Sequence, residues 1–295
     1  MSAIKSVVAT INGQQYPLTY NATSKKYEAT ITAPSETSYK VNDGHYYPIT
    51  IKATDAAGNV VTVNDSTETL GSNLRLRVKE TVKPVINLTS IGAGAILTNN
   101  VPVFKFTVTD SGSGVATGTV KMKIDNKAVT LPTPTKISNG YEYNYTSSTL
   151  SDGSHTVVIN ASDNDGNAAT EFSRTFTVDT VPPTLNITNP VNGFVTNQKT
   201  ITVSGTTNDA TSSPVTVAIT VNGTDVGAVT VASDGAFTKS VTLTEGNNNI
   251  VVTSTDRAGK KTTVQRTVEL DTSVPVFTSV TVSPNPVDTG KTYTI

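Results

Sequence analysis

The sequence predicts an all-β protein of tandem β-sandwich domains arranged as an elongated rod. Three observations carry this reading: a motif that recurs about every hundred residues, period-2 alternation between tight turns, and a strand-forming composition. The motif reads Ile51-Lys-Ala-Thr-Asp-Ala-Ala-Gly-Asn59, Ile159-Asn-Ala-Ser-Asp-Asn-Asp-Gly-Asn167 and Val252-Thr-Ser-Thr-Asp-Arg-Ala-Gly-Lys260. Its aspartates, Asp55, Asp163 and Asp256, stand 108 and 93 residues apart. An acidic-Gly pair precedes each copy (Asp43-Gly44, Asp152-Gly153, Glu245-Gly246), and a proline junction follows each (Lys83-Pro84-Val85, Pro182-Pro183-Thr184, Val274-Pro275-Val276). A period of this size is one β-sandwich domain.

Within each period the apolar residues alternate. His155-Thr-Val-Val-Ile-Asn160 and Glu171-Phe-Ser-Arg-Thr-Phe-Thr-Val178 flank the Asp163–Asn167 turn and read as a hairpin. Asn12-Gly13, Asp125-Asn126 and Asn222-Gly223 each sit between two alternating runs, as two-residue hairpin turns require. Asn139-Gly140 and Asp234-Gly235 mark a further turn. No segment shows helical spacing with caps. The chain is 36% hydrophobic and 15% charged, rich in Val and Thr, which suit a pleated, half-buried surface.

The totals also exclude function classes. A net charge of −1 supplies no basic field for phosphates, so nucleic acid is excluded as a partner. No run approaches the ~18–20 apolar residues of a membrane helix, so no membrane insertion is expected. Cysteine is absent, which removes disulfides, thiol nucleophiles and thiolate metal sites. The opening Met1–Gly13 has no basic start or apolar run of a secretion signal, and an alternating strand begins almost at once.

The motif Ala53-Thr-Asp-x-x-Gly-Asn59 with its two copies, and the junction Val181-Pro-Pro-Thr-Leu185, resemble the bacterial immunoglobulin-like repeat. Proteins of that kind include surface adhesins, multidomain cell-wall proteins and phage tail or fibre proteins. The resemblance spans nearly the whole chain and implies tandem immunoglobulin-like β-sandwich domains. The expected bounds are residues 1–81, 82–179 and 180–271, with 272–295 as the opening strands of an incomplete further domain. The first repeat begins at the equivalent of the third strand of the second. Truncation, completion of the first domain by the tail of another copy, and a smaller variant domain are three readings of this asymmetry.

Chemistry-bearing residues are sparse. His45 and His155 lie about a hundred residues apart, near turns, and are expected to be turn or surface residues rather than parts of a zinc site or a triad. The acidic residues show no pair suited to glycoside hydrolysis, and the chain is not expected to be an enzyme. Lys105, between Phe104 and Phe106, is expected to face outward. Asp163, Asp165 and Asn167 set oxygens at alternate positions around Gly166, like the opening of a calcium loop; with Asp179 they form the candidate calcium ligands, and Asp110 lies in a second acidic turn. The competing reading is that Asp, Gly and Asn serve the turn itself. Six of the ten tyrosines fall in the first repeat, and Tyr16, Tyr20, Tyr27, Tyr46 and Tyr47 are candidate partner-binding residues.

The resemblance implies a non-catalytic spacer or attachment module of a phage tail or virion assembly, the alternative being a fragment of a secreted bacterial cell-surface adhesin. Expected partners are other virion or cell-surface subunits, a second copy of the chain head to tail, or a surface glycan. The expected location is the virion or, alternatively, the bacterial cell surface.

Overall fold

The computed structural model describes residues 3–283, 285–292 and 294–295. The chain divides into two compact units, residues 1–180 and 181–295. Among the described residues, regular structure is almost entirely strand, with three single-turn 3₁₀ helices at Ser38–Lys40, Gly71–Leu74 and Thr117–Thr119. No helix is long and apolar enough to cross a membrane.

The first unit opens with one sheet made of β1 (Ile4–Ile11), β2 (Gln14–Asn21), β3 (Lys26–Glu28), β4 (Tyr47–Asp55), β5 (Val60–Val63) and β6 (Arg75–Leu76). Its order is β3-β2-β1-β4-β5, with β6 paired to one end of β4. Asn12 and Gly13 both take positive φ, so a two-residue turn joins β1 to β2 in the Ile11↔Gln14 register. Alternation puts Val7, Ala9, Ile11 and Tyr47 on one face, and these four are buried. The edge strand β5 leaves Val60 and Val61 exposed.

The same unit continues with β7 (Val85–Leu88), β8 (Ile96–Leu97), β9 (Val103–Thr109), β10 (Lys121–Ile124), β11 (Lys127–Val129), β12 (Thr135–Ile137), β13 (Gly140–Thr146), β14 (Gly153–Asn160) and β15 (Phe172–Val178). These form two sheets, β11-β10-β14-β15-β8 and β12-β13-β9-β7, the immunoglobulin arrangement of strands. Each sheet must bury its apolar face, and the two faces meet over Phe104, Phe106, Val108, Met122, Val157, Ile159, Phe176 and Val178. Phe106 and Tyr143 stack at 4.9 Å with rings 6° from parallel. Lys105, between the two buried phenylalanines, points the other way and pairs with Glu142 at 3.3 Å on the outer face, as the alternation predicts.

The second unit repeats this plan. Its strands are β16 (Thr184–Asn189), β17 (Phe194–Thr196), β18 (Thr200–Asn208), β19 (Thr216–Val221), β20 (Thr224–Asp225), β21 (Ala236–Thr242), β22 (Gly246–Thr255) and β23 (Lys261–Leu270). Sheets β16-β18-β21 and β17-β23-β22-β19-β20 close over Val203, Ile219, Phe237, Leu243, Ile250, Val252 and Val268. The described residues of 272–295, expected as opening strands, form only an isolated bridge between Ser283 and Thr294. Val274, Val276 and Phe277 in this segment are exposed.

Removing a fully buried ring leaves a cavity that a close-packed sandwich cannot collapse. Phe106→Ala should therefore cost about 3–5 kcal/mol, read as a lowered midpoint of the first unit's transition in urea.

Candidate functional site

The long hairpin β14–β15 turns through residues 161–171 at the end of its sandwich that faces the first sheet's C-terminal connection. At the tip, Asp163 Oδ1 accepts from the backbone N–H of Asn167 at 2.7 Å, and Oδ2 accepts from the Asn167 side chain at 2.7 Å. Gly166 completes the turn at φ +94°. The other two motif copies do the same: Asp55 takes the Asn59 N–H at 2.8 Å and Asp256 takes the Lys260 N–H at 2.9 Å. The turn reading of the motif is therefore realised in all three copies.

The second copy has an added feature. A carboxylate oxygen of Asp163 lies within 4.8 Å of carboxylate oxygens of both Glu80 and Asp110. Asp110 follows β9 and is held by its own loop, Oδ1 accepting from the N–H groups of Gly112 at 3.1 Å and Gly114 at 2.7 Å. Its Oδ2 is buried and meets no hydrogen-bond donor. Glu80 arrives from the connection between β6 and β7, and accepts from Ser113 Oγ at 3.4 Å and from the Val82 N–H. Gly112 lies close to this side chain: a Cβ there would stand 2.7 Å from the Glu80 carboxyl carbon, so a larger residue would displace the Glu80 carboxylate.

Among the described residues, no lysine, arginine or histidine pairs with these three carboxylates. Two like charges at this spacing repel by about 3 kcal/mol at an effective dielectric of 20, so the trio needs a proton or a cation. Burial, and then the hydrogen bond with Asp163, hold the Glu80 carboxyl above its ordinary range. Burial also pushes Asp163 up, but the Asn167 side-chain and backbone donors, joined by Glu80, outweigh it and hold Asp163 below the ordinary range. A cleft of about 350 Å³, lined by Lys40, Asp110, Ser113, Lys136, Tyr141 and Asn164, opens beside Asp110.

The expected calcium ligands do not assemble as a set. Asp163 belongs to the cluster. Asp165 instead ties the two parts of the unit together: Oδ2 accepts from Thr37 Oγ1 at 2.6 Å and from the Glu80 N–H at 3.0 Å. Asn167 presents its amide N–H₂ to Asp163 and to the Glu80 carbonyl at 3.0 Å, a donor where a cation needs an acceptor. Asp179 follows the far end of β15, a seven-residue strand of about 23 Å, and its N–H bonds the Leu97 carbonyl there. Glu80 lies in a connection without a motif and so carries no sequence signal, whereas Asp110 is marked in the sequence by its acidic, glycine-rich turn.

The histidine expectation also needs correction. His155 is 6% exposed. Nδ1 lies 2.7 Å from Asp125 Oδ2 and Nε2 lies 2.8 Å from the Ser151 carbonyl, while the ring stacks on Phe176 at 5.6 Å. Both ring nitrogens face acceptors, so the bonding is complete only in the imidazolium. Burial lowers the His155 pKa, but the Asp125 carboxylate and the Ser151 carbonyl outweigh it and the net shift is upward. His45 is separate, stacked on Tyr39 at 4.0 Å.

The candidate partner tyrosines divide. Tyr20 is exposed and lies against Tyr27 at 5.3 Å. Tyr16 donates to Gln14 at 2.8 Å in an exposed bond. Tyr46 donates to Asp65 at 2.9 Å and carries Arg75 over its ring at 4.9 Å. Tyr47, only 3% exposed, donates to the Glu36 carbonyl and belongs to the core rather than to a contact surface.

Residues 89–180 match the model of the bacterial Ig-like domain family, and residues 183–272 match that of glucodextranase, domain B. A curated relative, bacillopeptidase F of Bacillus subtilis (strain 168), is 33% identical over 131 residues, covering 44% of this chain and 9% of its own length. The chain therefore spans under a tenth of that relative. Similar solved structures include titin domains I67–I69, at TM-score 0.48 and 11% identity over 92% of this chain and 89% of that one. The fibronectin(III)-like modules of Clostridium thermocellum CbhA give TM-score 0.37 and 17% identity over 63% of this chain and 94% of theirs. A 1.5-MDa bacterial ice-binding adhesin gives TM-score 0.33 and 22% identity over 92% of this chain and 88% of that one.

The His155–Asp125 pair yields a pH dependence. The folded pKa of His155 is raised, so its contribution is full below the unfolded value of about 6.5 and is lost as pH rises through the folded value. Asp125 is lowered by the His155 and Thr156 donors outweighing its burial, so its contribution holds above about pH 4 and is lost as pH falls through the folded value. The melting temperature should fall as pH rises from about 6.5 through the folded value of His155. Asp125→Asn, which keeps an oxygen for the Thr156 N–H, should flatten that slope in a melting series.

Proposed function

Taking residues 89–180 as a bacterial Ig-like domain within an array of such sandwiches, we propose that the chain is a non-catalytic spacer and attachment segment of a bacterial cell-surface or extracellular protein. The joint between the first sheet and the following sandwich carries this reading. Thr37 and Glu80 both bond the Asp165 carboxylate, Lys79 Nζ reaches the Asp165 carbonyl at 3.2 Å, and Ser38 and Val78 exchange bonds of 2.9 and 2.6 Å. A connection pinned on both sides keeps the spacing of what it joins, whereas a free linker of the same length samples many.

The family-model matches and the Bacillus subtilis relative support a bacterial protein rather than the phage tail or virion placing. They also support a second reading, in which the segment is a non-catalytic part of a longer enzyme, since glucodextranase domain B and bacillopeptidase F are both named for enzymes. In either setting the attachment surface is the first sheet. The β15 and β23 edges of the closed sandwiches are each covered by a parallel strand, β8 and β17, while the described β5 edge has none. An extended strand of a protein partner or a second copy adds to such an edge through backbone hydrogen bonds, and the exposed Tyr20, packed against the half-buried Tyr27, lies on the same sheet. A surface glycan is a weaker fit, because Tyr20 is the one exposed aromatic ring among the described residues of this sheet.

Spin labels report the joint without background, as the chain has no cysteine. With Lys52→Cys and Lys127→Cys labelled, one narrow distance distribution is expected, broadening on Asp165→Ala. A broad distribution in the parent would refute the fixed-joint spacer. Strand addition is read by light scattering: mass should rise above 30.8 kDa with concentration, and Val61→Lys, which charges the β5 edge, should hold it at the monomer value.

A further inference from the structure

We propose that Glu80, Asp110 and Asp163 bind a calcium-type divalent cation that locks the joint between the first sheet and the bacterial Ig-like domain. The three come from different parts of the chain: the connection after β6, the loop after β9 and the β14–β15 turn. They converge with carboxylate oxygens inside 4.8 Å of one another. That spread suits an ion with ligands at about 2.3–2.6 Å, whose opposite oxygens stand up to about 5 Å apart.

Convergence of acids alone would not identify a site. The separate sign is Asp110 Oδ2, which sits on a side chain 6% exposed and has no donor within reach. Its partner oxygen is held by two loop amides, so the carboxylate cannot turn away to satisfy the orphan. A buried carboxylate oxygen with nothing to accept carries a desolvation cost that is largest for a charged group, and a cation removes it. Ser113 Oγ, 3.4 Å from Glu80 Oε1, adds a neutral oxygen to the set. The ligand types are hard oxygens throughout, which favours calcium over zinc or copper.

The same paired aspartates recur inside the second unit. Asp209 Oδ1 accepts from the N–H groups of Thr211 at 2.8 Å and Ser212 at 2.6 Å, as Asp110 does in its loop. Asp256, the motif aspartate, lies with an oxygen within 4.8 Å of Asp209, and its Oδ2 is likewise buried without a partner. The first repeat has the motif aspartate, Asp55, but no described strand to bring a second one to it. The feature therefore follows the complete sandwich rather than the turn motif.

The test is calcium chloride titrated into the chelator-treated full chain, followed by calorimetry and by thermal melting. We expect saturable binding and an upward shift of the first unit's melting transition. Asp110→Asn keeps Oδ1 for the Gly112 and Gly114 amides and should fold, yet weaken that binding at least tenfold and abolish the shift. Glu80→Gln should do the same, and it replaces Asp110→Asn as the deciding variant if the latter loses its strand spectrum. Absence of calcium-dependent heat and melting shift in the parent would overturn the site. So would titrations of both variants that superimpose on the parent, which would place the bound ion elsewhere in the chain.

Discussion

The carboxylate that closes each long hairpin turn is the contact on which the rest of the molecule depends. Asp55, Asp163 and Asp256 each accept the N–H four residues on, at 2.8, 2.7 and 2.9 Å. That bond holds a turn whose glycine takes φ of +89°, +94° and +84°, a region open to glycine at no steric cost. The turn fixes the register of β4 with β5, β14 with β15 and β22 with β23. Register in turn decides which side chains meet the core, because a one-residue slip would move every apolar side chain to the solvent face. The recurrence of Asp-x-x-Gly in the sequence is thus a record of one hydrogen bond made three times.

In the second copy this carboxylate also meets the neighbouring sheet. The Asp163 carboxylate is already bonded within its own turn, and three acids in one place are electrostatically unfavourable. What holds them together is the polar weld around them: Thr37 to Asp165, Glu80 N–H to Asp165, and Asn167 to the Glu80 carbonyl. Each of these bonds crosses between the first sheet's connection and the sandwich. The crossing contacts are polar rather than apolar, so their strength depends on charge state and on what neutralises the trio.

Much of the fold was legible because sandwiches express their geometry locally. The positive φ at Asn12, Asp125 and Asn222 confirms the hairpins that the Asn-Gly and Asp-Asn pairs announced, and Lys105 faces outward as alternation requires. The site was less legible, for reasons that are also physical. Asp110 and Asp163 are neighbours only because β9 and β14 belong to facing sheets, and one sequence does not reveal that pairing. Glu80 sits in a connection with no periodicity. Other positions are legible: His155 shares its strand face with Val157 and Ile159, and Tyr47 shares its face with Ile49 and Ile51, so alternation alone places both inside. Strand length similarly separates Asp179 from Asp163, since a seven-residue strand lies between the two ends.

The three repeats differ most where their outer strands stand. In the two complete sandwiches the last long strand is flanked by a short parallel strand from the beginning of the domain, β8 along β15 and β17 along β23. Parallel pairing of this kind needs a long connection, so the covering strand and the last strand are the two ends of one domain brought side by side. The sheet edge is thereby closed, and the domain's own chain supplies every inward-facing apolar residue. The first sheet has the same order of strands from β2 to β5 but no described covering strand, and Val61, on its inward face by register with Ala53 and Val7, stays 61% exposed. An edge and a face left open together are what a partner strand closes in one step, because the backbone it pairs with and the apolar surface it covers are adjacent.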